Sequence, residues 1–374
     1  MIRLILVGCL ATADFTAAQD EPLELVFEAK TVFANPFTDV RLSAEFVHES
    51  GKRTNVDGFF DGDGKGGQTG RRYKVRFCPE HAGNWTFRTT SPVEELSGRS
   101  GTIDCSASNR TGPVIVDTKR RRQFVFRRSR QPFVHLGFTA YHLLDDSNDD
   151  ARIRQTIDYC SRNGFNSIRF LIAGYPRDAD PRRAEEFKGE YGVDQDRMRL
   201  PNYGAPPGEV NPLPVWLGRP HRYDFSRFNL AYWHKLERAV RWMRDKGIVA
   251  CCILTIEKQN LPDEYGALSE DEKRFYRYAV ARLAAFDNVW WDLGNEHNEY
   301  RPPSWAPTMG RLVKEWDPYD RLLSVHGYAD WVYGDADWAD FIITQQYGTP
   351  RRGQRLGATV SQHSQAVRQR GIRL

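Results

Sequence analysis

Asn288-Val289-Trp290-Trp291-Asp292-Leu293-Gly294-Asn295-Glu296-His297 is the stretch on which the fold turns. A turn pair, Asp287-Asn288, opens it, and the apolar run Val289–Leu293 has the length of a strand. The run leads straight into Asn295-Glu296 at its C-terminal end. An Asn-Glu pair alone occurs by chance in many chains. Its weight here comes from what surrounds it.

On both sides, strand patterns alternate with helix patterns. Candidate strands run over Phe133–Gly137, Ser167–Ala173, Ile248–Ile256, Val289–Leu293, Arg321–Val325 and Phe341–Thr344. Between them, Ile153, Ile157 and Cys160 mark one helical face, closed by Gly164 as a left-handed cap. Leu230, Trp233, Leu236, Val240 and Met243 trace a second stripe that ends at Gly247. Ser269-x-x-Glu272 reads as a capping box for a third helix carrying Phe275, Ala279 and Leu283. Such alternation is β/α architecture, barrel or open sheet. The irregular stretch Gly174–Phe228 follows the second strand, and a loop so long is expected where function is built on it. On a barrel it sits at the C-terminal mouth, where active sites lie. Trp216 and the neighbouring tyrosines read as sugar platforms there, and Asp178, Asp180, Glu185 and Glu186 as solvent-facing.

The N-terminal part reads differently. From Glu21 to Pro113, short β-type runs such as Leu23–Ala29, Val40–Val47, Tyr73–Phe77, Trp85–Thr89 and Gly101–Cys105 are broken by turn residues. This predicts a small β-sandwich. Before it, Met1-Ile2-Arg3, the apolar Leu4–Ala11 and Thr16-Ala17-Ala18 read as an export leader. Leu6-Val7-Gly8-Cys9 stands too early for a lipoprotein box. The expected division is a leader over 1–18, a sandwich over 21–113 and a barrel over 114–374, in a secreted or periplasmic protein. No other apolar run approaches the ~20 residues that span a bilayer.

Composition narrows the partners. The charge balance is 53 − 49 = +4, too weak to point to nucleic acid. Lys119–Arg122 and Arg127–Arg130 flank Gln123–Phe126, and the plain reading is a solvated hairpin opening the second domain. Aromatic residues make up 13% of the chain, which suits either a sugar cleft or an ordinary core. Asp61-Gly62-Asp63-Gly64-Lys65-Gly66 invites a calcium reading, but it lacks the closing Glu of such a loop, and a glycine-rich turn explains it equally well. Six cysteines form no CxxC pair, and there is no zinc signature. Cys78 and Cys105, at the ends of two candidate strands, either pair in an oxidising compartment or stay free. Cys251 and Cys252 read as buried small hydrophobes.

Glycoside hydrolysis needs a protonated carboxyl beside the leaving oxygen and a second carboxylate across the sugar. Glu296, at the end of the fourth strand of a (β/α)8 barrel, suits the acid/base role, and Asn295 suits a hold on the sugar's 2-hydroxyl. At this point the chain resembles glycoside hydrolase clan A, whose barrels carry acid/base and nucleophile glutamates after strands four and seven. Asn35-Pro36-Phe37-x-Asp39-Val40, Gly58-Phe59-Phe60-Asp61-Gly62, Arg76-Phe77-Cys78-Pro79 and Gly83-Asn84-Trp85 resemble an uncharacterised sandwich domain. That domain commonly precedes cellulase- or apiosidase-like barrels in secreted proteins.

The resemblance implies a retaining glycosidase acting on a plant- or microbe-derived polysaccharide or oligosaccharide, with no cofactor. It implies that Arg169 braces the nucleophile, that His326 is a subsite polar residue and that Tyr347 touches the nucleophile. Trp331 and Trp338 either stack on sugar or pack. Phe138 stands where related barrels often carry Asp, which leaves the substrate subfamily open. After Val360–Gln369 and Gly371 the chain reaches Ile372-Arg373-Leu374, which reads as the opening of strand seven. On this reading the barrel is incomplete and the nucleophile lies outside the chain, with Glu257 at the end of strand three as the one obvious substitute. Two other classes compete: a non-catalytic carbohydrate-binding protein that keeps the cleft, or an inactive fragment of such an enzyme, and a metal-dependent barrel hydrolase. The latter lacks a His-x-His at strand one, despite His135 and His142.

Overall fold

The computed structural model describes residues 3–6, 13–120, 123–141, 143, 144, 148–172, 215–219, 222–255, 265–327, 333 and 336–344. The N-terminal part contributes β1 (Arg3–Leu6), β2 (Ala13–Ala18), β3 (Leu23–Glu28), β4 (Ser43–His48), β5 (Arg53–Phe60), β6 (Arg72–Phe77), β7 (Gly83–Thr90) and β8 (Ser100–Ser106). They form one continuous sheet in the order β1-β3-β6-β5-β4-β7-β8-β2. The first half of β5 pairs with β4 and its second half, Gly58–Phe60, with β6. β5 is therefore shared between two sets of strands. Alternation along β4, β7 and β8 buries Phe46, Trp85, Phe87 and Ile103, the period-2 pattern that the sequence carries. Phe46 stacks on Phe77 of β6 with ring centroids 3.8 Å apart.

The segment read as an export leader overlaps β1 and β2, which pair in parallel with β3 and β8. Phe15 of β2 is buried in the core. Cys78 and Cys105 are both free and buried. Burial pushes the Cys78 thiol up to about 12 and the Cys105 thiol up to about 11, so both behave as apolar filling. The glycine-rich loop is a turn held from within: Asp63 Oδ1 accepts the backbone N–H groups of Lys65 and Gly67 at 2.7 and 2.9 Å.

The second part begins with β9 (Val114–Val116), β10 (Phe124–Phe126) and β11 (Pro132–Phe133), an antiparallel trio. Next come β12 (Gly137–Thr139), α1 (Asp150–Arg162), β13 (Ser167–Leu171), the hairpin β14 (Trp216–Arg219) and β15 (Arg222–Phe228), and α2 (Leu230–Asp245). β16 (Val249–Thr255), α3 (Glu270–Leu283), β17 (Val289–Gly294), α4 (Trp305–Trp316), β18 (Leu323–Ser324), β19 (His326–Gly327) and β20 (Ile343–Thr344) complete the described order. The strands β12-β13-β16-β17-β18 pair in parallel in chain order, and β19 pairs in parallel with β20. A doubly wound sheet reverses its order at a switch point; this one does not, which is the arrangement of a (β/α)8 barrel wall. Every residue of β16 and β17 is buried, as expected of parallel strands covered on both faces.

The sequence reading placed the first barrel strand too early. Phe133 belongs to β11, and the parallel strand starts at Gly137. The reason is a small separate core: Val114, Phe133, Val249, Cys251, Trp290 and Leu322 pack together, and Phe124 and Phe133 lie 5.1 and 5.8 Å from the Trp290 ring. The antiparallel trio thus packs where β16 and β17 begin, at the end opposite the Asn-Glu pair.

Among the contacts that fasten the N-terminal sheet to the barrel part, two stand out. The first is ionic and centred on the buried Arg76, Arg282, Asp61 and Glu237. Arg76 Nη2 reaches Glu24 Oε1 at 2.7 Å and Glu237 Oε2 at 3.0 Å, and Arg282 Nε reaches Glu237 Oε1 at 2.6 Å. Lys74 Nζ lies 2.8 Å from Asp61, whose other oxygen meets Arg282 at 3.0 Å and His234 at 2.9 Å. The second corrects the expectation of a solvated basic hairpin. Arg127 and Arg128 both pair with the buried Asp20, and Arg127 also with Glu80, so the basic run clamps the N-terminal sheet.

Candidate active site

At the end of β17, Gly294 has no room for a side chain. A Cβ on Gly294 would lie 2.3 Å from Thr255 Cγ2 of β16, so only glycine lets the two strand ends approach. Beyond it the chain turns sharply: Glu296 sits in the left-handed region at φ 49°, ψ 36°. That conformation is uncommon for glutamate and is held by its surroundings. Glu296 N donates to His326 Nδ1 at 3.2 Å. Tyr300 OH donates to Asn295 O at 2.9 Å, and Tyr276 OH donates to Leu293 O at 2.6 Å. Arg301 Nη2 and Trp305 Nε1 donate to the buried Glu272 at 2.6 and 3.0 Å, tying the loop after Glu296 to the first turn of α3.

The structure brings Arg169, Asn295, Glu296 and His326 together. Arg169, on β13, donates to Asp292 Oδ2 through Nε at 2.9 Å and Nη2 at 2.6 Å. Nη2 also donates to Asn295 Oδ1 at 3.0 Å, and Nη1 to Tyr141 OH at 3.1 Å. Tyr141 OH in turn donates to Asn295 Oδ1 at 3.3 Å. With its oxygen held by two donors, the Asn295 amide has one orientation, with its nitrogen turned away from Arg169 and Tyr141. Burial lowers the pKa of the Arg169 guanidinium, but Asp292 outweighs it and the group stays a fixed cation.

Two neighbouring histidines are neutral in this setting. Burial first, and Arg169 second, push His326 down to about 4. Burial likewise lowers His297, whose Nδ1 donates to His326 O at 2.8 Å. His297 Nε2 is then the acceptor for Tyr333 OH at 2.7 Å.

Tyr347, Glu257 and Trp331, together with Asp178, Asp180, Glu185 and Glu186, lie outside the described residues. Trp216 is not a platform. It is 1% exposed and packs among Phe225, Tyr265 and Phe275, with centroids 5.0–5.1 Å away. Trp338 is buried too, against Gly310 and Tyr333. Sequence reasoning missed the roles of Asp292, Tyr141, His297 and Tyr333. For Asp292 a signal existed: a charge in the middle of an apolar strand is placed there only with partners. Among the described residues, no group of three or more His, Cys, Asp or Glu side chains is placed to hold a metal ion.

Residues 118–371 match the family described as the apiosidase-like catalytic domain, and residues 17–92 match a domain of unknown function. A search of curated proteins gave no match. Among solved structures, a Bacteroides vulgatus ATCC 8482 protein assigned as a glycoside hydrolase is 25% identical with a TM-score of 0.68, over 86% of this chain and 58% of that one. A family 5 glycoside hydrolase from the same organism aligns over 67% of this chain and 47% of that one, at 18% identity and a TM-score of 0.43. The chain therefore spans little more than half the length of the first of these structures.

Proposed function

Because the chain belongs to the apiosidase-like catalytic-domain family, we propose that it is a retaining glycoside hydrolase with Glu296 as its acid/base. The observation that carries this reading is the end of β17. There Asn295, its amide oriented by Arg169 and Tyr141, precedes a glutamate held in a left-handed turn at the end of the fourth parallel strand. In the first step Glu296 donates its proton to the leaving oxygen; in the second it takes one from water. Asn295 Nδ2 holds the 2-hydroxyl as positive charge develops on the ring. The partner carboxylate belongs at the end of strand seven of a closed barrel. Arg169 orients Asn295, with Asp292 behind it, and on this reading it also braces the nucleophile.

The substrate is a plant- or microbe-derived polysaccharide or oligosaccharide, and the protein is secreted or periplasmic. The N-terminal sheet, folded on itself at β5 as a sandwich, supplies no catalytic group and docks on the barrel. Support for that division comes from its carboxylates Glu24 and Asp61, which are committed to buried ion pairs. The test is Glu296→Gln in a protein that carries strand seven with its carboxylate, assayed on two leaving groups. Turnover of an unactivated glycoside should fall about 10²–10⁴-fold, with a much smaller loss on an aryl glycoside that needs no proton. Equal losses on both would sink the acid assignment, and sugar binding without turnover by the protein that carries strand seven and its carboxylate would favour a binding protein instead.

A further inference from the structure

Asp292 is fully buried, and four donors converge on it. Arg169 takes Oδ2 with two nitrogens, at 2.9 and 2.6 Å. Oδ1 accepts from His326 N at 3.1 Å and from Gly294 N at 3.2 Å. One carboxylate therefore holds a side chain from β13, the backbone at the start of β19 and its own strand end. Because it is shut off from solvent, it does not itself touch a substrate.

We propose that Asp292 is the positioning residue of this site: one oxygen fixes Arg169 and through it Asn295, and the other fixes His326, whose Nδ1 sets the left-handed turn at Glu296. This rests on the hydrolase reading only for its consequence in rate; the geometry stands apart from it. The chain of bonds demands a particular histidine chemistry. Nδ1 of His326 accepts the Glu296 N–H, so it carries a lone pair and the proton is on Nε2. His297 is the opposite tautomer, protonated on Nδ1, because that atom faces the carbonyl oxygen of His326. Burial and the nearby Arg169 keep the His326 ring neutral, which preserves the acceptor. Remove the Asp292 charge and the His326 backbone loses its anchor, so the ring no longer presents Nδ1 to Glu296.

The experiment is a long-range ¹H–¹⁵N spectrum of the ¹⁵N-histidine-labelled full chain at neutral pH, assigned with His326→Gln and His297→Gln. In the unmodified protein His326 should show a bare Nδ1 and a protonated Nε2, and His297 the reverse. In Asp292→Asn the two His326 nitrogens should move toward the averaged positions of a free imidazole. In a form extended through strand seven and its carboxylate, kcat on an aryl glycoside should fall about 10²-fold, as for a misplaced catalytic group, while KM stays within about threefold. A His326 protonated on Nδ1 in the unmodified protein would overturn the proposal. So would Asp292→Asn with unchanged His326 signals and unchanged kcat. If Asp292→Asn fails to fold, or if the extended form turns over no glycoside, the wild-type tautomers still decide; the second result counts against the hydrolase reading alone.

Discussion

Two of the buried arginine–carboxylate clusters among the described residues differ in where their spare bonds go. At the boundary between the N-terminal sheet and the barrel part, Arg76 and Arg282 spend their charge on Glu24, Glu237 and Asp61, and nearly every partner is another member of the cluster. At the strand ends, Arg169 spends two nitrogens on Asp292, then turns the rest toward Asn295 and Tyr141. Its side chain keeps 15% of its exposure, where Arg76 and Arg282 keep none. The first cluster closes on itself and cross-links two parts of the chain. The second passes its rigidity outward to a polar group in the site. The same ion pair fastens in one place and orients in the other, and the third partner distinguishes the two.

The comparison predicts a separation of effects that can be broken experimentally. Glu237 is the centre of the boundary cluster: burial alone would raise its carboxyl, but Arg282, Arg76 and Arg241 together hold it well below its ordinary value of 4.5. Glu237→Ala leaves two buried guanidinium groups short of a partner, and stability should drop by about 3–5 kcal/mol in chemical denaturation. A group with a depressed folded pKa contributes above its unfolded pKa and loses that contribution as pH falls. The gap between wild type and variant should therefore be full near neutral pH and narrow below about pH 4.5. The turnover of whatever folded Glu237→Ala remains should stay close to wild type. A large rate defect with intact stability would merge the two clusters into one functional unit.

His326 offers the next largest effect and sharpens the contrast, because the site cluster is sensitive at milder pH. Its folded pKa of about 4 lies below the ordinary 6.5, so the unfolded chain takes up a proton first as pH falls. Stability should decline between those two values by about 2–3 kcal/mol more in wild type than in His326→Gln. Denaturation midpoints measured across pH 7 to 4 would show this as a steeper slope for wild type. Parallel slopes would mean that His326 is not held as a neutral acceptor.

How far this could be read in advance depends on how local each signal is. The helix ends were legible because their causes are neighbours in sequence: Gly164 and Gly247 stand just past α1 and α2 at φ 78° and 69°. The Asn-Glu pair was legible because strand and turn lie in one ten-residue stretch. The partners of Arg127 and Arg128 were not, since Asp20 lies more than a hundred residues away and no local pattern marks it. Nor was the start of the first barrel strand, because Phe133 is claimed by a core built from β9, β16 and β17. Trp216 shows the same limit: an indole in an irregular segment has equal local reason to stack on sugar or to pack, and its buried neighbours Tyr265 and Phe275 come from some fifty residues further on.

The smallest expected effect lies between the two clusters, at the start of α3. Ser269 Oγ accepts the Glu272 N–H at 3.1 Å, which is half of the capping box in the sequence. The reciprocal half is displaced: Glu272 Oε2 accepts from Leu268 N at 2.6 Å rather than from the cap residue. The rest of the Glu272 carboxylate is taken by Arg301 and Trp305, from the loop and helix that follow Glu296. Ser269→Ala removes one cap bond from a helix that keeps its packed face and its Glu272 contacts. Stability should fall by about 1 kcal/mol, the usual worth of such a cap. Because Glu272 stays bound to Arg301 and Trp305, the loop after Glu296 keeps its anchor, and kcat and KM should be unchanged. The check is a denaturation curve run beside a rate measurement on the same sample. A fall in kcat at nearly wild-type stability would mean that the first turn of α3 helps to aim Glu296, and the line between fastening and orienting would then run through Glu272 rather than between the two arginine clusters.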